Sequence, residues 1–358
     1  MPSSTCAPPA AKQTAPPSRL SFPAVLTLLT IGLATGIVVC IGIGPIGVSP
    51  ATTLKVLAAH LLPGEHTADW SLVEERIVWV FRTPRVLLAA LVGASLALVG
   101  VILQAVVRNP LADPYLLGAS SGAALGAVIG LVLGASVPGL LVSGSAFGGS
   151  ALACFLVYLL ASRGGRIEPL RLVLAGVALS YLFSAVTSWI TVTAEHGKLP
   201  GLLFFLLGSI SSASWATLAL PGAGLALGAA YAWWRTGHLN AIMTGDETAT
   251  SLGVDVSRFR VETLLVTSLM VGCVVAVAGG IGFVGMVVPH ACRLLVGADH
   301  RRLLPVSLLG GALLLVAVDT VARTAAAPRE LPIGVVTALI GAPFFLWLLR
   351  SRPTGGMA

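Results

Sequence analysis

Of the 358 residues in this chain 56% are hydrophobic and only 10% are charged, whereas a soluble domain carries about one quarter charged residues. With a mean hydropathy of +0.96, the excess apolar surface has to face lipid. The formal net charge of +7 does not point to nucleic acid, because the basic residues stand singly or in pairs between apolar runs, where they report orientation in a membrane.

Residues 1–22 are rich in Pro, Ala and Ser, carry Lys12 and Arg19, and read as a disordered cytoplasmic N-terminus. The apolar run that follows, 23–44, is too long for a signal peptide and lacks an A-x-A site, so it reads as the first membrane helix. Residues 49–83 are too polar to span. They form an outer connection with helix in Ala51–Leu62 and again from Leu72, where Ser71 and Glu74 fit a capping box. Runs 84–107 and 115–135 make a membrane hairpin around the turn Arg108-Asn109-Pro110-Leu111-Ala112-Asp113-Pro114. Glycines at 122, 126, 130 and 134 line one face of the second helix, and small residues at that spacing let helices approach closely in lipid.

Further spans are expected at 138–161, 170–193, 214–234, 260–279, 281–297, 303–323 and 332–350. The one at 281–297 is short and opens on glycines, with an interfacial or bent segment as its alternative. Residues 198–212 contain an apolar piece too short to cross, hence an interfacial or re-entrant helix. The fold class is an all-α integral membrane protein: a domain of about ten transmembrane helices over 23–350 and a cytoplasmic tail, 351–358.

With the N-terminus inside, fourteen basic residues fall on the cytoplasmic side and seven outside, which favours cytoplasmic termini. The outer seven are Lys55, Arg76, Arg82, Arg85, Lys198, Arg323 and Arg329. Asp319 precedes Arg323 by four residues and is placed to pair with it on one helix face. In the loop 238–258, Thr244 and Glu247 fit a capping box and Gly253 a helix C′ position, giving a short exposed inner helix. The five cysteines lack metal-ligand spacing, and His290 has no second ligand nearby. Gly280-Ile-Gly-Phe-Val-Gly285 lies in an apolar stretch without the strand-turn-helix context of a dinucleotide site. No G-x-x-x-x-G-K-[ST] loop occurs, so ATP hydrolysis by that route falls to another polypeptide.

The pattern R-x-P-R from Arg82, G-A-x-L-A, and Q-x-x-x-R-N-P-L-A-x-P-x-x-L-G-x-S-x-G-A resembles the permeases of ATP-driven type II importers for iron chelates (siderophores, haem) and vitamin B12. The resemblance resumes at Leu239-Asn240, at Gly280 to His290, at Gly297-Ala-Asp-His-Arg301, and at Glu330 to Thr337 and Gly341 to Phe345. It implies a vitamin B12 permease-like fold in a bacterial inner membrane. The assembly would comprise two copies of this chain, two cytoplasmic ATPase subunits and a periplasmic substrate-binding protein. The chain itself would be non-catalytic and bind no cofactor, ATP and Mg being used by the ATPase.

The resemblance further implies docking of the binding protein at Arg82, Arg85 and Arg323, whose planar forks suit carboxylates. It places ATPase coupling in the loop carrying Thr244, Gly245, Glu247, Ala249, Leu252 and Gly253, with Ala249 and Leu252 as apolar anchors. It puts a cytoplasmic gate at Asn109 and Leu111 with Pro169 and Leu170, where the family has small polar residues in place of the last two. Haem is narrowly favoured as substrate over siderophore or cobalamin. An ion-coupled secondary transporter is the alternative, and would want ionisable groups near the midplane.

Overall fold

The apolar runs fold as helices throughout, broken where glycine, proline and polar turns interrupt them. A computed structural model describes residues 21–63, 69–114, 118–132, 138–163, 166–167, 169–194 and 199–351. The chain opens with α1 (Phe22–Gly42), α2 (Pro50–Leu61) and α3 (Leu72–Glu75). The last runs through a π-helical segment, Arg76–Arg82, into α4 (Thr83–Val107). There follow α5 (Ala119–Val132), α6 (Pro138–Ala161), α7 (Pro169–Thr193), α8 (Leu199–Leu206) and α9 (Ala219–Trp234). The chain closes with α10 (Thr236–Ile242), α11 (Asp246–Ser251), α12 (Val256–Ala278), α13 (Val284–Val296), α14 (His300–Thr324) and α15 (Ile333–Ser351). A two-residue antiparallel pairing, Ser162 with Ile167, is the only strand contact among the described residues.

Among the described residues seven helices are long and apolar enough to cross a membrane, and three shorter apolar ones, Ala119–Val132, Val284–Val296 and Ile333–Trp347, accompany them. Together they occupy the ten expected places. The helix expected over 281–297 is shorter than that: Phe283 takes a left-handed conformation and α13 begins only at Val284. Its 13 residues rise about 20 Å, less than a bilayer core of about 30 Å. The disorder expected over 1–22 falls mainly on residues outside the described ones, as does the tail beyond Ser351, while Phe22 already belongs to α1.

At α2 and α3 the local signals act as the sequence indicates. Ser71 Oγ accepts from Glu74 N and the Glu74 carboxylate accepts from Ser71 N, a complete capping box. Ser49 caps α2, which opens on Pro50. The short helix expected within 198–212 is α8, Leu199–Leu206.

At the centre stands α4, buried on nearly every side from Thr83 to Val107. A helix apolar all round belongs inside a bundle, and glycines decide which neighbours come closest. A Cβ on Gly93 would lie 2.2 Å from Gly311 O of α14, and one on Gly100 1.9 Å from Gly285 O of α13. The stripe on α5 serves α6 in the same way: a Cβ on Gly122 would lie 2.4 Å from Gly149 O and one on Gly126 2.0 Å from Ser145 O. Without a hydrophobic drive between helices in lipid, such backbone contact is a main source of association.

Candidate functional site

Two polar clusters mark the two ends of this bundle, called outer and inner after the orientation expected from the basic residues. At the outer end, the C-terminus of α1 exposes carbonyls that no helical N–H reaches. Arg82 donates to Ile41 O at 3.1 Å and Gly42 O at 2.8 Å, and also to Ile46 O. Arg323 donates to Cys40 O at 3.0 Å and Ile43 O at 3.2 Å. A cation at a helix C-terminus also meets the negative end of its dipole. Between them lies Asp319, fully buried. Arg85 Nε donates to Asp319 Oδ1 at 3.0 Å, and Arg323 Nε sits 3.0 Å from Asp319 Oδ2, an ion pair off the hydrogen-bond axis. Arg85 Nη1 also reaches both carboxylate oxygens of Glu330, at 2.9 and 3.0 Å.

The expected Asp319–Arg323 pair is therefore present, and the three arginines expected to dock a partner are engaged within the chain. Arg82, Arg85 and Arg323 are 7%, 8% and 3% exposed. Together they form a clamp joining α1, α4, α14 and the segment before α15. Their motif spacing reported arginines at a helix end but not the carbonyls of α1 that would receive them. Of the outer cations, Arg76 and Arg329 are exposed and form no ion pair among the described residues, while Lys55 pairs with Asp69.

The inner end is built on the turn after α4. Arg108 adopts a left-handed conformation (φ 53°), and the bonds Arg108 N to Ala105 O and Asn109 N to Gln104 O close the helix in a Schellman arrangement. Asn109 Oδ1 then accepts from Leu111 N at 2.9 Å and Asn109 O from Ala112 N at 3.1 Å. The Asn side chain thus fixes a compact turn that carries Leu111, both half-buried. Pro169 and Leu170 open α7; their side chains lie outside the described ones.

Beside this turn sits α11. Gly245 holds its N-terminus at φ 114°, and Thr244 Oγ1 donates back to Ala241 O at 2.8 Å. The expected capping box with Glu247 therefore does not form: the glycine backbone directs the chain, and Thr244 is used by the previous turn. Glu247 is exposed on the first turn. Gly253 is left-handed (φ 85°), with Val254 N bonding Ala249 O and Gly253 N bonding Thr250 O, the C-terminal motif the sequence predicts. Of the two expected anchors Ala249 is fully buried and faces the bundle, while Leu252 is 67% exposed.

A residue the sequence reading passed over connects these pieces. Asp246 Oδ1 lies 3.3 Å from Arg108 Nη2 and accepts from Arg260 Nη2 at 3.0 Å. It ties α11 to the turn after α4 and to α12 at once. The signal was weak, since Asp in a first helical turn is ordinary dipole chemistry.

An apolar cleft of about 500 Å³ opens among the ends of α5, α8 and α12 that lie away from the Arg108 turn, lined by Leu131, Leu202, Phe204, Phe205 and Val277 with Ser209, Ser211 and Ser212. Alongside, α7 turns Tyr181, Trp189 and Val192 outward, at 76%, 69% and 82% exposure. His290 is buried and packs edge-on against Phe344.

Residues 31–351 match the model of the FecCD transport family. The chain is 47% identical over 283 residues to the cobalamin import system permease protein BtuC of Halobacterium salinarum, covering 77% of this chain and 74% of that one. It is 43% identical to the hemin transport system permease protein HmuU of Yersinia pestis, over 77% of this chain and 84% of that one. The molybdate import system permease protein MolB of Haemophilus influenzae is 37% identical over 94% of this chain and 98% of its own length. A solved structure described as an inward-facing conformation of a metal-chelate type ABC transporter superposes with a TM-score of 0.77 at 34% identity, over 92% of this chain and all of that one.

Proposed function

The chain belongs to the FecCD transport family, the multi-pass permease subunits of ABC importers for iron chelates or cobalamin, and from that premise we propose that it carries a metal-bearing tetrapyrrole-type chelate, haem or cobalamin, into the cell. A separate ATPase subunit hydrolyses the ATP, and this chain binds no cofactor of its own. Two copies assemble with two such subunits, in a plasma membrane with both termini cytoplasmic.

The observation that carries this reading is the join between α11 and the turn after α4. Leu252 projects from a short helix fixed at both ends by glycines, the form of an anchor that enters a groove on a partner. Asp246 links that same helix to Arg108, next to Asn109 and Leu111. Movement imposed on α11 therefore reaches the inner gate through one carboxylate. A non-helical turn at the membrane boundary is tolerated where protein satisfies its backbone, as Asn109 does here, and Pro169 and Leu170 would complete the constriction.

At the outer end, the cleft offers apolar walls with three serine hydroxyls, suited to a flat macrocycle with polar edges. The outward face of α7 beside it supports pairing with the second copy. The binding protein would meet this end through its acidic residues. Arg76 and Arg329 supply the exposed charge, and the buried arginine clamp holds the surface in shape.

The experiment is uptake into vesicles holding the permease, its ATPase and its binding protein, with ionophores collapsing every ion gradient. Cyanocobalamin and haemin are offered in turn, with ferric citrate and molybdate as comparisons. ATP-dependent accumulation of a macrocycle supports the reading. Accumulation of molybdate alone would overturn the substrate class, and uptake that vanishes with the ionophores while ATP is still hydrolysed would favour an ion-coupled carrier.

A further inference from the structure

Two short motifs, Leu239-Asn240 and Asp299-His300, lie about sixty residues apart and meet at the inner end. Asn240, near the end of α10, donates from Nδ2 to Asp299 Oδ1 at 2.8 Å. Its Oδ1 accepts from His300 N at 3.0 Å and stands 2.6 Å from His300 Nδ1. An amide oxygen only accepts, so the His300 ring carries its proton on Nδ1. The backbone donor at His300 N fixes which way round the amide sits. Asp299 is at the same time the N-cap of α14, accepting from Arg301 N at 3.1 Å. One asparagine thus satisfies the first residues of α14 with both ends of its amide, while Leu239 and Ile242 on either side are fully buried and seat α10 against the bundle.

What α14 does with that attachment follows from its length and its other end. Its 25 residues rise about 37 Å. Along the way it lies in backbone contact with α4 at Gly93 and Gly311. At the far end its Asp319 and Arg323 hold Arg85, the α1 carbonyls and, through Arg85, Glu330. A single helix therefore runs from the short inner helices to the outer polar clamp, with a side-chain grip at each end.

We propose that Asn240 is a positioning residue that grips the N-terminus of α14, so that displacement of α10 and α11 by the ATPase is carried along α14 to the outer polar cluster. The grip is a second route out of the coupling helices, distinct from the Asp246 link to the inner gate, and serves the outer end. The inference rests on the importer reading above. Coupling of this sort needs an element with two arrangements that both ends bias, and a hydrogen-bonded, capped helix terminus moves as a unit with whatever holds its cap.

The test uses the full complex with its ATPase, carrying a cysteine substituted at exposed Thr324 (T324C) as a reporter at the outer end of α14, with the five native cysteines replaced. The readouts are the ATP-induced change in labelling of that cysteine by a membrane-impermeant maleimide, and the number of cyanocobalamin or haemin molecules accumulated per ATP. N240D removes the donor to Asp299 and sets two carboxylates against each other. The labelling change should fall to below about one third of its parent value, with uptake per ATP falling alongside and basal ATP hydrolysis retained. D299N keeps an N-cap and should behave as the parent. The double variant N240D/D299N restores the bond with donor and acceptor exchanged, and should restore both readouts.

Unchanged labelling in assembled N240D overturns the proposal, as does failure of the double variant to recover while D299N is normal. Should N240D not assemble, N240S, whose hydroxyl cannot reach Asp299 and His300 together, is read in the same way, and an unchanged ratio there overturns it too. Loss of ATP-driven uptake in the parent complex would instead refute the importer reading.

Discussion

Replacing Asp319 by Asn tests the outer clamp most directly. The carboxylate is fully buried and takes Arg85 Nε at 3.0 Å on one oxygen and Arg323 Nε at 3.0 Å on the other. At an effective dielectric constant near 20, each such pair is worth about 4 kcal/mol of Coulomb attraction, set against the desolvation of all three groups. Asn keeps the shape and one acceptor for Arg85, but turns an N–H2 toward Arg323 and leaves two buried cations sharing Glu330 and the α1 carbonyls. Breaking a buried pair from one side costs about 3–5 kcal/mol. For a chain of this size that lowers the apparent unfolding midpoint by roughly 4–7 °C, measured by thermal unfolding in detergent. Glu330→Gln is the internal control. Its side chain is 36% exposed, so its loss should cost about 1 kcal/mol or less. Replacing Asp319 and Arg323 together by Leu and Met should recover part of the loss. A D319N protein as stable as its parent, or less affected than E330Q, would show that the clamp is held by the α1 carbonyls and not by the carboxylate.

The remaining predictions concern packing and coupling. Gly93→Ala places a methyl 2.2 Å from Gly311 O, so α4 and α14 must separate by about 1 Å at a cost of about 1–3 kcal/mol; Gly47→Ala, with nothing within 4 Å, should be neutral in the same melt. Leu252→Asp should weaken co-purification of the ATPase about tenfold or more while leaving the permease melt unchanged, and equal yield of the complex would remove Leu252 as an anchor. Asp246→Asn should lower uptake per ATP severalfold; the Arg108 pair, about one third exposed, contributes at most about 1 kcal/mol, while the buried Arg260 adds a further cost of about 1–3 kcal/mol to be read in the melt, and unchanged coupling would leave the gate link without effect. The Asp299 carboxyl is held below the ordinary carboxylate range, first by the Asn240 amide and then by Arg301 N–H. Its contribution is therefore fully present above the unfolded value of about 3.9 and is lost as pH falls through the lowered one. The ratio of labelling rates with and without ATP at the outer end of α14, which cancels the thiol's own titration, should stay flat between about pH 5 and pH 8, and a transition near neutrality would assign the grip to another group.

Helix positions were legible because each depended on neighbours in sequence. Ser71 and Glu74 cap a helix three residues apart, Gly253 ends one, and the stripe from Gly122 announces a close helix partner before the partner is known. The sites were legible only by type. Arg82, Arg85 and Arg323 stand where the spacing puts them, but their partners come from α1 and from Glu330, up to 283 residues away, and no local pattern reports such a pairing. Thr244 shows the opposite failure: its spacing to Glu247 fits a capping box, yet the hydroxyl bonds Ala241 O because Gly245 takes the N-cap with a backbone that only glycine adopts readily. Ala249 and Leu252 looked alike as anchors, and only the direction in which α11 packs separates the buried one from the exposed one.

The central position of α4 has a consequence in time. The helix is complete at Val107, yet the helices it touches most closely, α13 and α14, begin at Val284 and His300, roughly 200 residues and about 10–40 s of synthesis later. Through that interval Arg82 can already rest on the α1 carbonyls, which precede it, whereas Arg85 has neither Asp319 nor Glu330. The glycine faces of α4 meanwhile have only lipid against them. The chain thus passes through a long-lived half-built state whose weak points are Arg85, Gly93 and Gly100, and lesions there should appear as lost yield of the assembled permease before they appear as altered transport.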